Sequence, residues 1–197
     1  MIIHSKKLLG GADHGSFEYT TPGTYELTFK KRTKASIWMV GGGGCSNALV
    51  FNFNGSNINI CSGGGSGAGF IGGIYIPAGT LTIYVGNLKM AGVSSDTKII
   101  SSAISGALIT AGGGLTYNVE GAEQGEKGIL TISSNAEIIP GTVLLETDGN
   151  DGELWNSACS GGASVYNGYG RGADYVNGQG YNIGTTNATT GYFKIVY

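Results

Sequence analysis

Side chains able to do covalent or acid–base chemistry are sparse in this sequence. It has 2 histidines, His4 and His14, both in the polar N-terminal stretch. A serine nucleophile needs a base in hydrogen-bond reach and a Gly-x-Ser-x-Gly elbow or its equivalent to expose it. Gly64-Gly65-Ser66-Gly67-Ala68 does not match that elbow, so Ser66 reads as a small packing residue. The 3 cysteines, Cys45, Cys61 and Cys159, are far apart and include no Cys-x-x-Cys pair. That spacing gives neither a zinc site nor a disulfide framework, and it leaves a single bridge open. Asp148-Gly149-Asn150-Asp151-Gly152-Glu153 gathers oxygen ligands of the kind calcium takes. It lacks EF-hand spacing and a bidentate glutamate at the right offset, and it reads as a surface turn. The expectation is a protein with no catalytic residues, no metal and no cofactor.

Glycine-rich loops can also cradle phosphates, and glycine is abundant, with 38 of 197 residues. Gly41 to Gly44 follow a strand-like segment, but Ser46 and Asn47 stand where a dinucleotide loop needs its third glycine. Gly63-x-Gly65-x-x-Ala68 fits the loose pattern, yet Phe70-Ile71-Gly72-Gly73-Ile74-Tyr75-Ile76-Pro77 follows, which is no helix. A Gly-Lys-Ser/Thr phosphate loop is absent. With a formal net charge of −2 and only 12% charged residues, the chain also lacks the basic face that nucleic acid requires. Lys30, Lys31, Arg32 and Lys34 are its one dense basic stretch; they suit an anionic glycan or, more simply, the solvated end of a hairpin.

The best binding candidate is the segment from Trp155 to Tyr181. Trp155, Tyr166, Tyr169, Tyr175 and Tyr181 stand there among Asn167, Arg171 and Asp174. Aromatic faces stack on sugar rings, and amides and charges bond to hydroxyls; Tyr, Asn, Ser and Gly are the residues of adaptable recognition loops. The competing reading is that these tyrosines pack against the body of the protein.

The elements that must carry such residues read as strands. Tyr25, Leu27 and Phe29 alternate with Glu26, Thr28 and Lys30, and Leu81, Ile83 and Val85 alternate with Thr82 and Tyr84. Further strand candidates are 17–19, 36–40, 70–76, 98–101, 107–111, 128–132 and 192–197. All 3 prolines, Pro22, Pro77 and Pro140, sit at Pro-Gly or Pro-Ala-Gly turns that launch strands, the last into Val143 and Leu145. Residues 1–13 read as a lead-in or attachment arm and 14–197 as one glycine-rich β domain. Between the strands lie tracts such as Gly41–Gly44 and Gly63–Gly69. Either they are loops, or they are polyproline-II-like helices that rise about 3.1 Å per residue and bond side by side.

In order, the segments Phe17–Phe29, Ala35–Cys45, Cys61–Gly86, Ile109–Gly114, Ser160–Gly180 and Gly191–Tyr197 resemble the glycine-rich domain of bacteriophage and prophage tail-fibre proteins and adhesins. The resemblance covers nearly the whole chain, and its specificity lies in the order of segments rather than in any one glycine run. A similar layout occurs in the glycine-rich ectodomain of some receptor tyrosine kinases. The resemblance implies an all-β fold: a jelly-roll-like β-sandwich with polyglycine-II-like tracts packed beside it. It also implies tip loops that recognise a bacterial surface polysaccharide or outer protein, and other tail proteins as partners. Fibres are often trimeric, and a homotrimer would account for the few surface charges. The chain departs from the pattern where its C-terminal tracts are broken by Tyr, Asn and Asp, and where 98–134 reads as ordinary strands.

The N-terminal stretch has no signal-peptide core, and no apolar run is long enough to cross a membrane. The expected location is a virion tail, reached from a host cytoplasm, which also deprives the sequons at Asn54 and Asn187 of meaning. A structural module of a virion or cell-surface assembly is the second reading. A small-ligand or ice-binding protein is the third, although no regular Thr-x-Thr array is present.

Overall fold

The computed structural model describes residues 3–8, 14–88, 95–115, 125–155, 159–175 and 187–197. Among the described residues the fold is all-β, without a helix. One six-stranded sheet runs in the order β1 (Ile3–Leu8), β3 (Gly23–Phe29), β8 (Gly79–Val85), β9 (Thr97–Ser101), β10 (Ala107–Ala111) and β11 (Leu130–Ile132). The other is built along β12 (Glu137–Ile138), β7 (Gly69–Ile76), β4 (Thr33–Val40), β15 (Tyr192–Val196) and β2 (Ser16–Tyr19), with β13 (Leu145–Thr147) also on β7. Pairing is antiparallel except for β1, which lies parallel to β3. Residues 3–8 of the expected lead-in are thus a sheet strand.

The period-two alternation decides which face goes inward. Leu27 of β3, Leu81 and Ile83 of β8 and Ile99 of β9 are fully buried, and across from them lie Ile37 and Met39 of β4, Ile74 of β7, and Phe193 and Ile195 of β15. Each such side chain stabilises the fold by about 1.5–3 kcal/mol relative to exposure. The last strand pairs with β4 on one side and β2 on the other, so β15 lies inside the second sheet and β2 forms its edge.

Two strand expectations shift. The Pro140 turn does not lead directly into a strand: Gly141 takes a φ of 73°, and the Thr142 hydroxyl bonds to the Ile139 carbonyl and accepts the Gly73 N–H. The strand starts at Leu145, although the Leu144 N–H already donates to the Ile71 carbonyl at 2.9 Å, and the Leu144 side chain is 80% exposed. Likewise β11 begins at Leu130, because Gly128 is engaged by the glycine tracts instead.

Those tracts are tied together by main-chain hydrogen bonds with a three-residue beat. In the stretch 63–68 the N–H groups of Gly63 and Ser66 donate to Glu153 and Asn150. Those of Gly64 and Gly67 donate to Ala173 and Gly170, and those of Gly65 and Ala68 donate to Leu115 and Gly112. Its carbonyls are served in the same rhythm. Gly63 and Ser66 accept from Gly125 and Gly128, Gly65 and Ala68 accept from Gly44 and Gly41, and Gly64 accepts from Gly162. Six chain segments therefore surround 63–68. They also bond to one another in a closed circuit, through Gly114 to Gly42, Ala173 to Gly44, Gly172 to Gly162, Glu153 to Ser160, Gly152 to Gly125 and Leu115 to Glu126.

Side chains would break this contact. A Cβ on Gly64 would fall on the Gly44 carbonyl, and one on Gly67 on that of Gly41. The residues taken for a calcium-type surface turn, 148–153, belong to the circuit, and their carboxylates hold backbone. Asp148 accepts the Leu130 N–H at 2.9 Å and Asp151 the Lys127 N–H at 2.8 Å. Ser66 does pack, fully buried, and its hydroxyl accepts the Asn150 N–H at 2.7 Å.

Candidate functional site

The hydrogen-bond register gives the glycine circuit two ends. At the near end Gly41, Ala68, Gly112 and Gly191 run directly into or out of the sheets at β4, β7, β10 and β15. At the far end sit Gly44, Gly63, Leu115, Gly125, Glu153 and Ala173. Trp155, Cys159, Tyr175 and Asn187 belong to this far end as well.

The best-described feature there is a hairpin between the first two glycine tracts. β5 (Asn47–Phe53) and β6 (Ser56–Ser62) pair antiparallel from Asn47↔Ser62 to Phe53↔Ser56. Asn54 and Gly55 close it with φ values of 50° and 81°. Two consecutive left-handed residues make the mirror-image turn whose twist suits a hairpin, and Asn-Gly is its strongest sequence signal. In its register Asn52 stands opposite Asn57, Val50 opposite Asn59, Leu49 opposite Ile60 and Phe51 opposite Ile58. No charged residue occurs between Cys45 and Gly63. A third short strand, β14 (Leu154–Trp155), pairs with the base of β6, Trp155 opposite Cys61.

A disulfide between Cys61 and Cys159 staples that base, with Cα atoms 6.0 Å apart. Tyr175 is buried against it and donates its N–H to the Cys159 carbonyl at 2.8 Å. The bridge resolves what cysteine spacing left open. The only hint in the sequence is that both cysteines border glycine tracts, Cys61 two residues before Gly63 and Cys159 two before Gly161.

The eight residues singled out from the sequence do not form one site. Trp155 and Tyr175 are at the far end, Tyr175 only 4% exposed. Tyr166, Asn167 and Tyr169 are at the near end, in a turn where Asn167 and Gly168 take φ values of 47° and 81°. There the Tyr169 ring stacks on Tyr192 of β15 at 4.5 Å, and Tyr166 leans on it at 5.7 Å. These two tyrosines thus pack against the sheets, as the competing reading had it. Asp174 sits between Ala173 and Tyr175 at the far end, Arg171 lies nearer the sheets, and the two form a brace. Both Asp174 oxygens accept from the Arg171 guanidinium, at 3.0 and 2.9 Å. One also takes the Gly161 N–H and the other the Asn187 amide. Tyr181 lies outside the described residues. Among the described residues no three His, Cys, Asp or Glu side chains gather as a metal site.

The near-end aromatic stack carries a pH consequence. Burial raises the Tyr192 phenol well above its usual value of 10.0, helped by the hydrogen bond it donates to Glu18 and by that carboxylate's charge. Burial also raises Tyr19, Tyr25 and Tyr197. Folding favours the neutral phenols, so their contribution is whole below pH 10 and lost as pH rises beyond it. Tyr192→Phe should melt about 2–4 °C lower at neutral pH, for one lost hydrogen bond of about 1 kcal/mol. It should then lose less than wild type above pH 10; melting curves that stay parallel through that range would contradict the linkage.

No known protein-family profile matches the chain, and no curated protein matches it.

Proposed function

We propose that this chain is a non-enzymatic recognition domain of a phage or prophage tail fibre or adhesin, working in a virion tail, and that it meets a bacterial surface glycan or outer protein with its far end. The observation that carries the reading is the arrangement of that end. A charge-free, asparagine-rich hairpin, with Asn52 paired to Asn57, stands on a body whose every strut is fixed by main-chain bonds. Amides bond to sugar hydroxyls and to peptide groups without the desolvation cost of charge, and rigid support lowers the ordering cost of binding. In this reading the six-around-one tracts are polyglycine-II-type helices, and the two sheets with their shared core form a jelly-roll-like sandwich that carries them. Three copies of the chain would share the sparsely charged flanks.

The test is binding of labelled chain to intact bacteria of several kinds, before and after their surface polysaccharide is stripped. Wild type is compared with Asn52→Ala/Asn57→Ala. Selective binding reduced about tenfold or more by the double variant supports the hairpin as the contact. Loss on stripping makes the receptor a glycan, and persistence makes it a protein. A folded chain that binds none of the cells removes the adhesin reading in favour of a structural virion module.

A further inference from the structure

The period of two that buries one face of the second sheet leaves its other face outside. On β4, Ala35, Ile37 and Met39 go to the core, so Lys34, Ser36 and Trp38 stand on the outer face. The register sets their neighbours in rows across the strands. Ser36 lies opposite Gly73 on β7 and Val196 on β15, and Val196 lies opposite Ser16 on β2. This row of small side chains runs between rows of large ones. On one side Lys34 is opposite Tyr75; on the other Trp38 lies between Ile71 and Lys194, and Lys194 is opposite Glu18. Along β4 the distance from Lys34 to Trp38 is about 13 Å, and a trough crosses the sheet in that space. The turn at Pro140 closes it at β7, where a Cβ on Gly73 would meet Thr142 Oγ1 and Ile139 Cδ1. It is continuous with a cleft of about 790 Å³ that Ser16, Ser36 and Val196 line together with Lys34, Ala35 and Tyr197. The serines are exposed, and Val196 between them is 38% exposed. Tyr75 and Trp38 are half-buried, and each is held by a cation: Arg32 lies 3.8 Å over the first ring and Lys194 5.6 Å over the second. Those cations have carboxylates of their own, Glu137 for Arg32 and Glu18 for Lys194.

We propose that this trough and its cleft bind a neutral saccharide. The floor offers serine hydroxyls to sugar hydroxyls, while Val196 and the aromatic borders take the apolar C–H faces of the rings. Arg32 and Lys194 already have their partners, so neither calls for an ionic ligand. A peptide fits less well. β4 and β15 are interior strands, paired on both sides, so the floor has no free edge to which a peptide strand could add. The amides of a peptide lying there would lose water without finding main-chain partners. The inference does not rest on the far end and survives if the adhesin reading fails.

The experiment uses the whole chain carrying Trp155→Phe, so that Trp38 is its only tryptophan and its emission reads the trough. The probes are neutral hexasaccharides of glucose or N-acetylglucosamine: cellohexaose, maltohexaose, laminarihexaose and chitohexaose. Alginate and a glutamine–leucine peptide are the ionic and peptide comparisons. At least one hexasaccharide should shift the emission with a Kd below about 1 mM. Ser36→Arg puts a long side chain into the row of small ones at an exposed position and should weaken that binding about tenfold or more. Thr131→Arg, exposed on β11 of the other sheet, should bind within about twofold of the parent chain. Equal loss in both variants would overturn the site. So would tighter binding of alginate or of the peptide, or no response to any hexasaccharide at about 5 mM. Ser36→Arg should melt together with the parent chain, which separates a blocked trough from a lost fold. Saccharide binding here and cell binding at the far end are read on different variants, so either reading can fail alone.

Discussion

Gly64→Ala should lower the melting temperature by about 8–16 °C, corresponding to about 4 kcal/mol, and Gly67→Ala should do the same. An added methyl in a packed core usually costs about 1–3 kcal/mol, because neighbours shift to make room. Here the neighbour is the backbone of Gly44 or Gly41, which is itself held by hydrogen bonds to Gly65, Ala173 and Ala68. Moving it would break those bonds at about 1 kcal/mol each and leave buried amides unpaired. Two comparisons isolate the effect. Ala68→Gly, in the same stretch, removes a side chain the packing already accommodates and should cost only about 1 kcal/mol of backbone entropy. Gly106→Ala meets nothing within 4 Å and should cost about 1–2 kcal/mol, solely for its left-handed φ of 85°. Thermal melts in which Gly64→Ala behaves like Gly106→Ala would mean that the tract is a slack loop.

Much of the two-sheet body was legible because its strands obey a local rule. In β3 and β8 apolar residues alternate with Thr, Glu and Tyr, while Trp38 and Val40 blur the alternation in β4 and Val196 blurs it in β15; period two needs no knowledge of the partner. The tracts were legible only as a choice between loop and packed helix. Composition says that side chains are excluded, not by what; the answer depends on which of six distant segments each amide faces. The supposed breaks in the pattern show the limit well. Asn150 and Glu153, from the expected surface turn, and Ala173, beside Asp174 in a broken tract, still serve as partners, because it is Gly149, Gly152 and Gly172 that face the centre. The hairpin lies outside the strands that alternation predicts although Asn54-Gly55 signals its turn, because Leu49-Val50-Phe51 is a continuous apolar run that blurs the period of two.

The candidate site was less legible for a further reason. Tyr, Asn, Arg and Asp within one sequence segment look like a single patch. A chain that runs out along one strut and back along the next spreads such a segment over both ends of the body. Tyr169 and Tyr175 are only six residues apart in sequence, yet one stacks on Tyr192 beside the sheets and the other covers the disulfide at the far end.

Loss of that disulfide is the second large effect expected. Cys61 and Cys159 are 98 residues apart in sequence, so the bridge closes a long loop in the unfolded chain. In the chain-entropy view a loop of about 100 residues is worth between 4 and 5 kcal/mol, with measured losses of about 2–5. Cys61→Ala/Cys159→Ala should therefore melt about 8–16 °C below wild type. The damage should be local before it is global. The bridge holds the base of β6 to the strut that begins at Cys159, while the circuit around 63–68 closes without it. Amide exchange should accelerate first in 47–62 and 159–175, and the sheets should keep their protection until global unfolding. The thiol count fixes the chemistry. Of 3 cysteines, oxidised protein should show one thiol after denaturation and reduced protein three. Three thiols in air-oxidised protein, or identical melting of wild type and the double variant, would remove the staple from the account.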